Sequence, residues 1–426
     1  MAAARRFLSG NAFRHTTKGC VVRSSLRFFG SHETLPWNSR MPDRQFEFMR
    51  DILNAPSPVG FESSMTEGVI LPYFAPLLDK HGWDAVQFKG NSGLVIDTAP
   101  GRTDMHTVMI VGHCDKIRMQ VRHVSKDGKI YIDSDSFLPG TLLGNEVTIF
   151  SRDGSGYKAI KGGTVEAHGA IHFVDAGTKT GKDDLYIELG LSGTDRKDQV
   201  IEAGIRAGDP VLLDRPIKRS FGENAFSGAY LDNGLGCFVT AETARLMAEY
   251  LSEGNSAFKN VRVLFAFASH EEIGRFGSRV LASTFSPDVL IGVDVNHDYV
   301  GAPNVGKKRF PDIEMGKGVT ICTGSITSPA LNNMLEDLAA KHDIPVQFDV
   351  RGRDTGTDAM AGVLASIDTV ATSVGFPIRN MHTVSECGNT SDVLASIHLL
   401  HNFLLHLEHS ATPAESWKQQ HPRLDL

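Results

Sequence analysis

The sequence predicts an α/β fold: a three-layer α/β/α domain with a mixed, largely parallel sheet, and a small β-barrel or β-sandwich domain inserted into it. The run from Val261 to Ala268 is apolar except for Arg262. Because its polar and apolar residues do not alternate, this run is typical of a strand buried on both faces, as in a parallel sheet. Residues 118–222 instead contain short strand-like pieces separated by turn signals such as Asp127-Gly128. The buried-strand pattern resumes after them, which predicts an insertion.

The composition is that of an ordinary globular protein. Of 426 residues, 41% are hydrophobic and 22% are charged, and the net charge of −7 provides no basic surface for nucleic acid. No apolar run reaches the roughly 18 residues of a transmembrane helix, so we expect no membrane partner. The five Cys are scattered without a CxxC pair, which argues against a disulfide framework or a thiolate zinc site.

Residues 1–35 differ in kind from the rest of the chain. They contain repeated Arg and Lys with several Ser and Thr, and no acidic residue precedes Glu33. This composition predicts a transit peptide and therefore a mitochondrial or plastid-type location. The alternative is a disordered basic tail on a protein that is otherwise cytoplasmic.

The remaining chain divides into a discontinuous α/β domain at 36–117 and 223–412, the insert at 118–222, and a polar tail at 413–426. Apolar periodicity and capping residues predict helices at Gln45–Leu53, Thr66–His81, Asp195–Ala203, Leu235–Tyr250, Ala330–His342 and Asp392–Glu408. Besides the central run, strands are predicted at Asn91–Asp97, Thr107–Val111, Val121–Val124, Ile130–Ile132, Glu146–Phe150, Val289–Val293, Val346–Val350 and Thr369–Thr372.

Polar residues follow several of the predicted strands, where an open α/β sheet places its ligands. In chain order they are His113 with Asp115, Asp232, Glu271 with Glu272, Asp294, and His382. Ionised carboxylates beside buried strands are costly unless a positive charge pairs with them. Carboxylate and imidazole groups are the ligands of hydrolytic zinc, cobalt or manganese sites, and five ligands suffice for two ions if one carboxylate bridges. In an extended segment Glu271 and Glu272 would face opposite ways, so one could bind metal while the other acts as a general base.

Each residue taken alone has a simpler interpretation. A single Asp at a strand end is more often a helix cap, His113 alone would be a hydrogen-bonded core histidine, and a Glu-Glu pair is commonly a solvated loop. Their joint placement at the strand ends of one sheet favours a dinuclear metal hydrolase.

The ordered motifs resemble those of the TET-type metallo-aminopeptidases, the glutamyl and deblocking aminopeptidase family. The motifs are His113-x-Asp115, Asp232-Asn233, Glu271-Glu272-x-Gly274, Asp294, Gly356-Thr357-Asp358-Ala359 and Met381-His382. The resemblance implies a catalytic metallopeptidase domain with an inserted domain for oligomerisation or substrate access, and homo-oligomers from dimers to dodecamers. It implies two divalent ions per subunit, Zn²⁺ first and Co²⁺ or Mn²⁺ as alternatives. The implied site residues are His113, Asp232 and Asp294 on one ion, Asp232 as a bridge with Glu272 and His382 on the other, Glu271 as general base, and Asp115 orienting His113.

The sequence departs from the family pattern in two places. Asn233-Gly234 stands where Asp-Arg is usual, and Asn there is similar to the aspartyl aminopeptidases. Cys114-Asp115-Lys116 replaces the common Met-Asp-Glu. We expect the Lys116 side chain to be solvated and the Cys114 side chain to point away from the site.

The resulting prediction is a metal-dependent aminopeptidase that acts on peptides with a free amino terminus. A metal-dependent N-acyl amino acid deacylase or a carboxypeptidase would use the same ions. A glycosidase fits poorly, because it needs two carboxyls on opposite sides of a sugar. A non-catalytic scaffold would not require every ligand.

Overall fold

The structure, a computed structural model, describes residues 37–410 apart from positions 91, 92, 135, 176, 256, 304, 306 and 307. The predicted basic segment at 1–35 and the polar tail at 413–426 lie outside these residues. Numbered in chain order, strands β1–β17 are Asp84–Phe88, Gly93–Asp97, His106–His113, Met119–Val124, Ile130–Asp133, Glu146–Asp153, Gly156–Glu166, Tyr186–Glu188, Pro210–Leu213, Lys218–Arg219, Ala225–Gly228, Val261–Ala268, Val289–His297, Val319–Gly324, Val346–Arg351, Val370–Ile378 and Glu386–Asn389.

The α-helices of the described residues, α1–α10, are Asp43–Asn54, Ser63–Met65, Leu71–His81, Pro139–Leu142, Arg196–Glu202, Leu231–Ser252, Phe276–Phe285, Pro329–Lys341, Ala361–Leu364 and Thr390–His409. A π-helical turn, Thr66–Ile70, joins α2 to α3. Pro72 lies in the first turn of α3 and Pro76 lies inside it, and the helix predicted over 66–81 continues past both. No helix of the described residues is long and apolar enough to cross a membrane.

Eight strands form one mixed sheet in the order β1-β2-β12-β3-β13-β16-β14-β15. The four central strands β12, β3, β13 and β16 are parallel to one another, and β2 and β14 join them antiparallel. In the register between β12 and β3, Ala268 pairs with His113. The carboxyl ends of both strands therefore lie at one edge of the sheet, and the residues that follow them start from neighbouring points.

Helices cover both faces of this sheet. One apolar core lies under α1, α3, α6, α8 and α10, and a smaller one lies under α7 and α9 on the opposite face. β12 contributes to both: Phe265 packs into the first core and Leu264 into the second. Because both faces of the strand are buried, its sequence is almost uniformly apolar. The predicted three-layer α/β/α class is confirmed.

The inserted part is a closed barrel of six strands in the order β4-β5-β8-β7-β6-β9. It has its own apolar core, which also takes in Ala229 and Tyr230 just before α6. The described residues from Trp37 onward belong to one compact unit. The domain boundaries and the role of the insert in oligomerisation or substrate access stay predictions.

Two strands of the sheet were not predicted. β1 lies at the edge of the sheet, and its residues are half-buried or exposed, so its sequence has no apolar run. β14 alternates Val319 and Ile321 with Thr320 and Cys322, and all four side chains are buried. A buried Thr or Cys gives no signal that distinguishes such a strand from a loop.

The beginning of α6 packs closely against the sheet through Gly236. A Cβ atom at this position would lie 2.4 Å from the carbonyl oxygen of Val293 and 2.6 Å from Nδ2 of Asn233. We therefore expect Gly236→Ala to destabilise the protein by about 1–3 kcal/mol, the usual cost of overpacking, with a lower melting temperature. Gly68→Ala is the control, because a Cβ there would meet no atom within 4 Å. Equal melting temperatures for the two variants would contradict the close packing.

Candidate metal centre

Three of the predicted ligands meet at the carboxyl edge of the sheet. His113 ends β3, Asp294 lies within β13, and Asp232 precedes the regular part of α6. Nε2 of His113 lies 3.1 Å from Oδ1 of Asp232 and 3.8 Å from Oδ1 of Asp294. All three residues are buried, and their ligand atoms lie within 4.8 Å of one another. The group could therefore hold one metal ion.

A second group shares Asp232 with the first. Nε2 of His382 lies 3.1 Å from Oδ2 of Asp232 and 3.7 Å from Oε2 of Glu272. The ligand atoms of these three residues also lie within 4.8 Å of one another. The two oxygens of Asp232 thus face different histidines, and this arrangement suits a carboxylate that bridges two ions.

The chemistry of these groups fits divalent cations. Oε1 of Glu272 is buried and has no hydrogen-bond partner among the described residues. Oδ1 of Asp232 is also buried, and its close polar neighbour is Nε2 of His113, itself a candidate ligand. Burial, together with the neighbouring Asp232 carboxylate, raises the pKa of both Glu272 and Asp294 well above the usual range. Burial also acts to raise the pKa of Asp232, but the two histidines beside it hold that pKa below its usual value. Bound cations would satisfy these buried oxygens and offset the repulsion among the carboxylates.

Glu271 and Glu272 lie in a turn, and not in an extended segment as predicted. β12 ends at Ala268, and the carbonyl of Glu271 accepts hydrogen bonds from the backbone of Gly274 and Arg275. The two side chains nevertheless diverge: Oε2 of Glu271 lies 3.9 Å from Nε2 of His113, whereas Glu272 lies beside His382. Burial raises the pKa of Glu271 to about 7, and His113 opposes this shift.

Asp115 contacts both His113 and the Glu-Glu turn. Nδ1 of His113 lies 3.1 Å from the backbone oxygen of Asp115 and 3.5 Å from its carboxylate. An Nδ1–H donated to that oxygen leaves Nε2 free to bind metal. The Asp115 carboxylate accepts hydrogen bonds from the backbone N–H groups of Glu271 and Glu272, both at 3.1 Å. Asp115 therefore positions the turn as well as the histidine.

Asn233 explains one departure from the family pattern. Its Oδ1 accepts a hydrogen bond from the backbone N–H of Gly236, and its Nδ2 donates to the carbonyl of Val293 at 2.8 Å. The side chain thus caps the regular part of α6 and ties it to the residue before Asp294. The peptide bond between Asp232 and Asn233 is cis.

Glu386, which was not among the predicted site residues, contacts two segments of the site. Its two carboxylate oxygens accept hydrogen bonds from the backbone N–H groups of His382, at 2.8 Å, and Leu231, at 2.6 Å. Glu386 therefore connects the segments that carry His382 and Asp232. Burial, together with the charge of Asp232, raises its pKa to about 8. No motif marks this residue, because its partners are backbone groups brought together only by the fold.

The prediction of a solvated Lys116 is wrong. Its side chain is buried, and Nζ donates hydrogen bonds to the carbonyls of Leu53 (2.6 Å) and Ala55. The ammonium group also lies 5.7 Å from the centre of the Tyr230 ring. Lys116 therefore holds the end of α1 against the sheet. Cys114 is buried beside the sheet, with its thiol donating to the carbonyl of Ala268 at 3.0 Å, and it belongs to neither ligand group of the described residues.

Comparison with known proteins identifies the family. Residues 93–399 match the family described as M42 glutamyl aminopeptidase. The chain belongs to this family. It is 28% identical over 361 residues to the lysyl aminopeptidase of Pyrococcus furiosus, covering 83% of this chain and 95% of that protein. The predicted family resemblance is therefore confirmed, and the protein is a peptidase of the metal-dependent aminopeptidase class.

Solved structures share the fold of this M42 chain. A TET aminopeptidase from Thaumarchaeota archaeon SCGC AB-539-E09 superposes with a TM-score of 0.75 at 22% identity, covering 88% of this chain and all of that one. The Pyrococcus horikoshii TET1 peptidase, which can assemble into a tetrahedron or a large octahedral shell, gives a TM-score of 0.67 at 19% identity. The superposition covers 84% of this M42 chain and 98% of the TET1 peptidase.

The predicted mitochondrial or plastid location is wrong. The proteins that this M42 chain matches include proteins of archaea and bacteria such as Pyrococcus furiosus and Lactococcus lactis, which have no such organelles. The family match begins at residue 93, so the basic segment at 1–35 contributes nothing to it.

Metal affinity should increase with pH. In the metal-free protein burial raises the pKa values of Glu272 and Asp294, which favours their protonated forms, and an arriving ion must displace those protons. Carboxyls with a raised folded-state pKa also make the metal-free protein less stable as pH rises above their unfolded pKa. We expect Zn²⁺ to bind more tightly, and to raise the melting temperature more, at about pH 8 than at pH 6. Chelator competition and thermal melting at both pH values measure this, and tighter binding at the lower pH would contradict it.

Proposed function

We propose that the protein is a dinuclear metal-dependent aminopeptidase that releases N-terminal residues from peptides with a free amino terminus. The main support for this proposal is the position of Asp232. Its two carboxylate oxygens lie 3.1 Å from two different histidines, His113 and His382. In this proposal one ion is held by His113, Asp232 and Asp294, and the other by Asp232, Glu272 and His382. Zn²⁺ suits this set of nitrogen and carboxylate ligands, and Co²⁺ and Mn²⁺ are the alternatives.

Two divalent ions, when bound, lower the pKa of a water and polarise the scissile carbonyl. Glu271 takes the proton of the attacking water and delivers it to the leaving amine. The position of its Oε2, 3.9 Å from Nε2 of His113, supports this role, because the carboxylate lies beside the ligands without belonging to either group. Asp115 holds the backbone of Glu271 and the ring of His113 in place throughout.

The free α-amino group of the substrate would restrict cleavage to the first residue, because bound ions held by these ligands would coordinate that group. The family and its relatives do not agree on which N-terminal residue is cleaved. The family is described as glutamyl aminopeptidase, whereas the Pyrococcus furiosus relative is a lysyl aminopeptidase. We propose that this chain, like the TET1 peptidase, assembles into a homo-oligomer, in the range from dimer to dodecamer.

Separate substitutions of Glu271 and Glu272 distinguish the proposed general base from the proposed metal ligand. We expect Glu271→Gln to retain two ions per subunit but to lower kcat by about 10²–10⁴-fold, the usual contribution of a general base. Glu272→Gln removes a ligand, so metal content should fall together with activity. Steady-state kinetics and elemental analysis on both variants test this. Full activity of Glu271→Gln would show that another group acts as the base.

The substrate class is tested with aminoacyl substrates that have free or N-acetylated amino groups, before and after removal of metal by a chelator. We expect turnover of the free-amine substrates only, its loss in the metal-free protein, and its recovery when Zn²⁺ or Co²⁺ is added back. The best side chain in the panel gives the specificity. Turnover of the acetylated substrates alone would instead assign the protein to the deacylases.

A further inference from the structure

We propose that Arg275 is a positioning residue for Glu271: its guanidinium holds one oxygen of the Glu271 carboxylate and thereby directs the other oxygen towards the metal centre. This inference rests on the proposed function, in which Glu271 is the general base. It adds a residue that none of the motifs identified, because Arg275 lies one position beyond the Glu271-Glu272-x-Gly274 motif.

The two oxygens of Glu271 have different partners. Nε of Arg275 donates to Oε1 at 3.2 Å, whereas Oε2 lies 3.9 Å from Nε2 of His113. A carboxylate attached only by its flexible side chain could rotate so that neither oxygen faces the site. With Oε1 bonded to Arg275, Oε2 is the oxygen that is available to a water beside His113. Oε1 of Glu271 is thus bonded to Arg275, and Oε2 is left to accept a proton from the water.

Arg275 is itself held from its other side. Nη1 donates to Oδ2 of Asp354 at 3.0 Å, and Oδ1 of Asp354 accepts from the backbone N–H of Gly356 at 2.7 Å. Asp354 lies in the loop between β15 and α9, so the arginine joins this loop to the turn that carries Glu271. Because it has a partner on each side, the guanidinium cannot turn away from Glu271 without losing a bond to Asp354.

The backbone at Arg275 supports the same conclusion. Arg275 has φ 57, in the left-handed region that a non-glycine residue adopts at a cost. Its N–H donates to the carbonyl of Glu271 at 3.0 Å, and its carbonyl accepts from the hydroxyl of Ser278 at 3.1 Å. These bonds hold the unfavourable conformation at the start of α7. This conformation places the side chain back over the turn, within reach of Glu271.

The ion pair is not an ordinary surface contact. The Arg275 side chain is 21% exposed and that of Glu271 is 10% exposed. Surface ion pairs contribute little, because water competes for both groups and both side chains remain mobile. Here Arg275 and Glu271 are both largely removed from water, and Arg275 has a second partner in Asp354, whose side chain is 52% exposed.

The experiment compares Arg275→Ala with Arg279→Ala, which removes an exposed arginine one turn further along α7. For each variant, kcat and KM are measured with the best free-amine substrate, and bound Zn²⁺ and melting temperature are measured on the same sample. We expect Arg275→Ala to lower kcat by about 10–100-fold, the usual effect of losing a group that orients a site residue. KM and the two bound ions should be retained, and Arg279→Ala should match the wild type.

Two further variants test whether Arg275 acts through Glu271. Arg275→Lys should restore part of kcat, because an ammonium group can reach Glu271 but cannot form the same two-sided contact with Asp354. In a Glu271→Gln background, Arg275→Ala should have a much smaller effect on kcat than it has alone, since the two residues then belong to one unit.

Several results would overturn the inference: a wild-type kcat for Arg275→Ala, a loss of activity that follows loss of metal or unfolding, or an equal loss in the Glu271→Gln background. These results differ from a failure of the proposed function. If Glu271→Gln is impaired while Arg275→Ala is normal, only the positioning role is wrong. If Glu271→Gln is fully active, the assignment of the base is itself wrong.

Discussion

The rest of the site depends on the electrostatic repulsion among carboxylates buried at one edge of the sheet. Asp232, Glu272 and Asp294 lie beside strands whose other residues are almost all apolar, together with two histidines. Burial removes these carboxylates from water and thereby raises the pKa of Glu272 and of Asp294. The negative charges of the metal-free site are therefore unfavourable in the folded protein. Cations between the carboxylates would relieve this repulsion, and the bridging Asp232 would allow two cations to lie close together.

The surrounding structure holds the ligands against this repulsion mainly through hydrogen bonds to the backbone. Asp115 binds the N–H groups of the Glu271-Glu272 turn, and Glu386 binds those of Leu231 and His382. Asn233 links α6 to β13. Each of these side chains connects two segments that are distant in sequence. The position of a ligand is thus set by buried polar contacts, which constrain the site more than apolar packing alone would.

The cluster of candidate ligands could be predicted from the sequence because a parallel sheet brings the carboxyl ends of its strands together. Once the run before Ser269 is identified as a buried strand, His113 and Glu272 follow from their positions at or just beyond a strand end. Asp294 was predicted to follow its strand, but β13 continues beyond it, so Asp294 lies within the strand. The order of motifs identifies the family. Lys116 was wrongly predicted because lysine is rarely buried. Two backbone carbonyls at the end of α1 accept its hydrogen bonds, and no local pattern reveals them.

The supporting contacts could not be predicted because they depend on turns whose conformation has no sequence period. His270, Arg275 and His382 all have positive φ. These three residues determine how the chain leaves β12 and how it approaches α10, and therefore which groups face Glu271 and Glu386. Hydrophobic periodicity identifies strands and helices, but it gives no information on a non-glycine residue in the left-handed region.

In the proposed centre one carboxylate, that of Asp232, bridges two ions, and calorimetric titration of the metal-free protein with Zn²⁺ tests this bridge. The wild type should bind two ions per subunit. His382→Ala should lose one ion and retain the other, whereas Asp232→Asn should weaken both sites. If Asp232→Asn bound two ions with wild-type affinity, or if the wild type bound only one, the bridged centre would be contradicted.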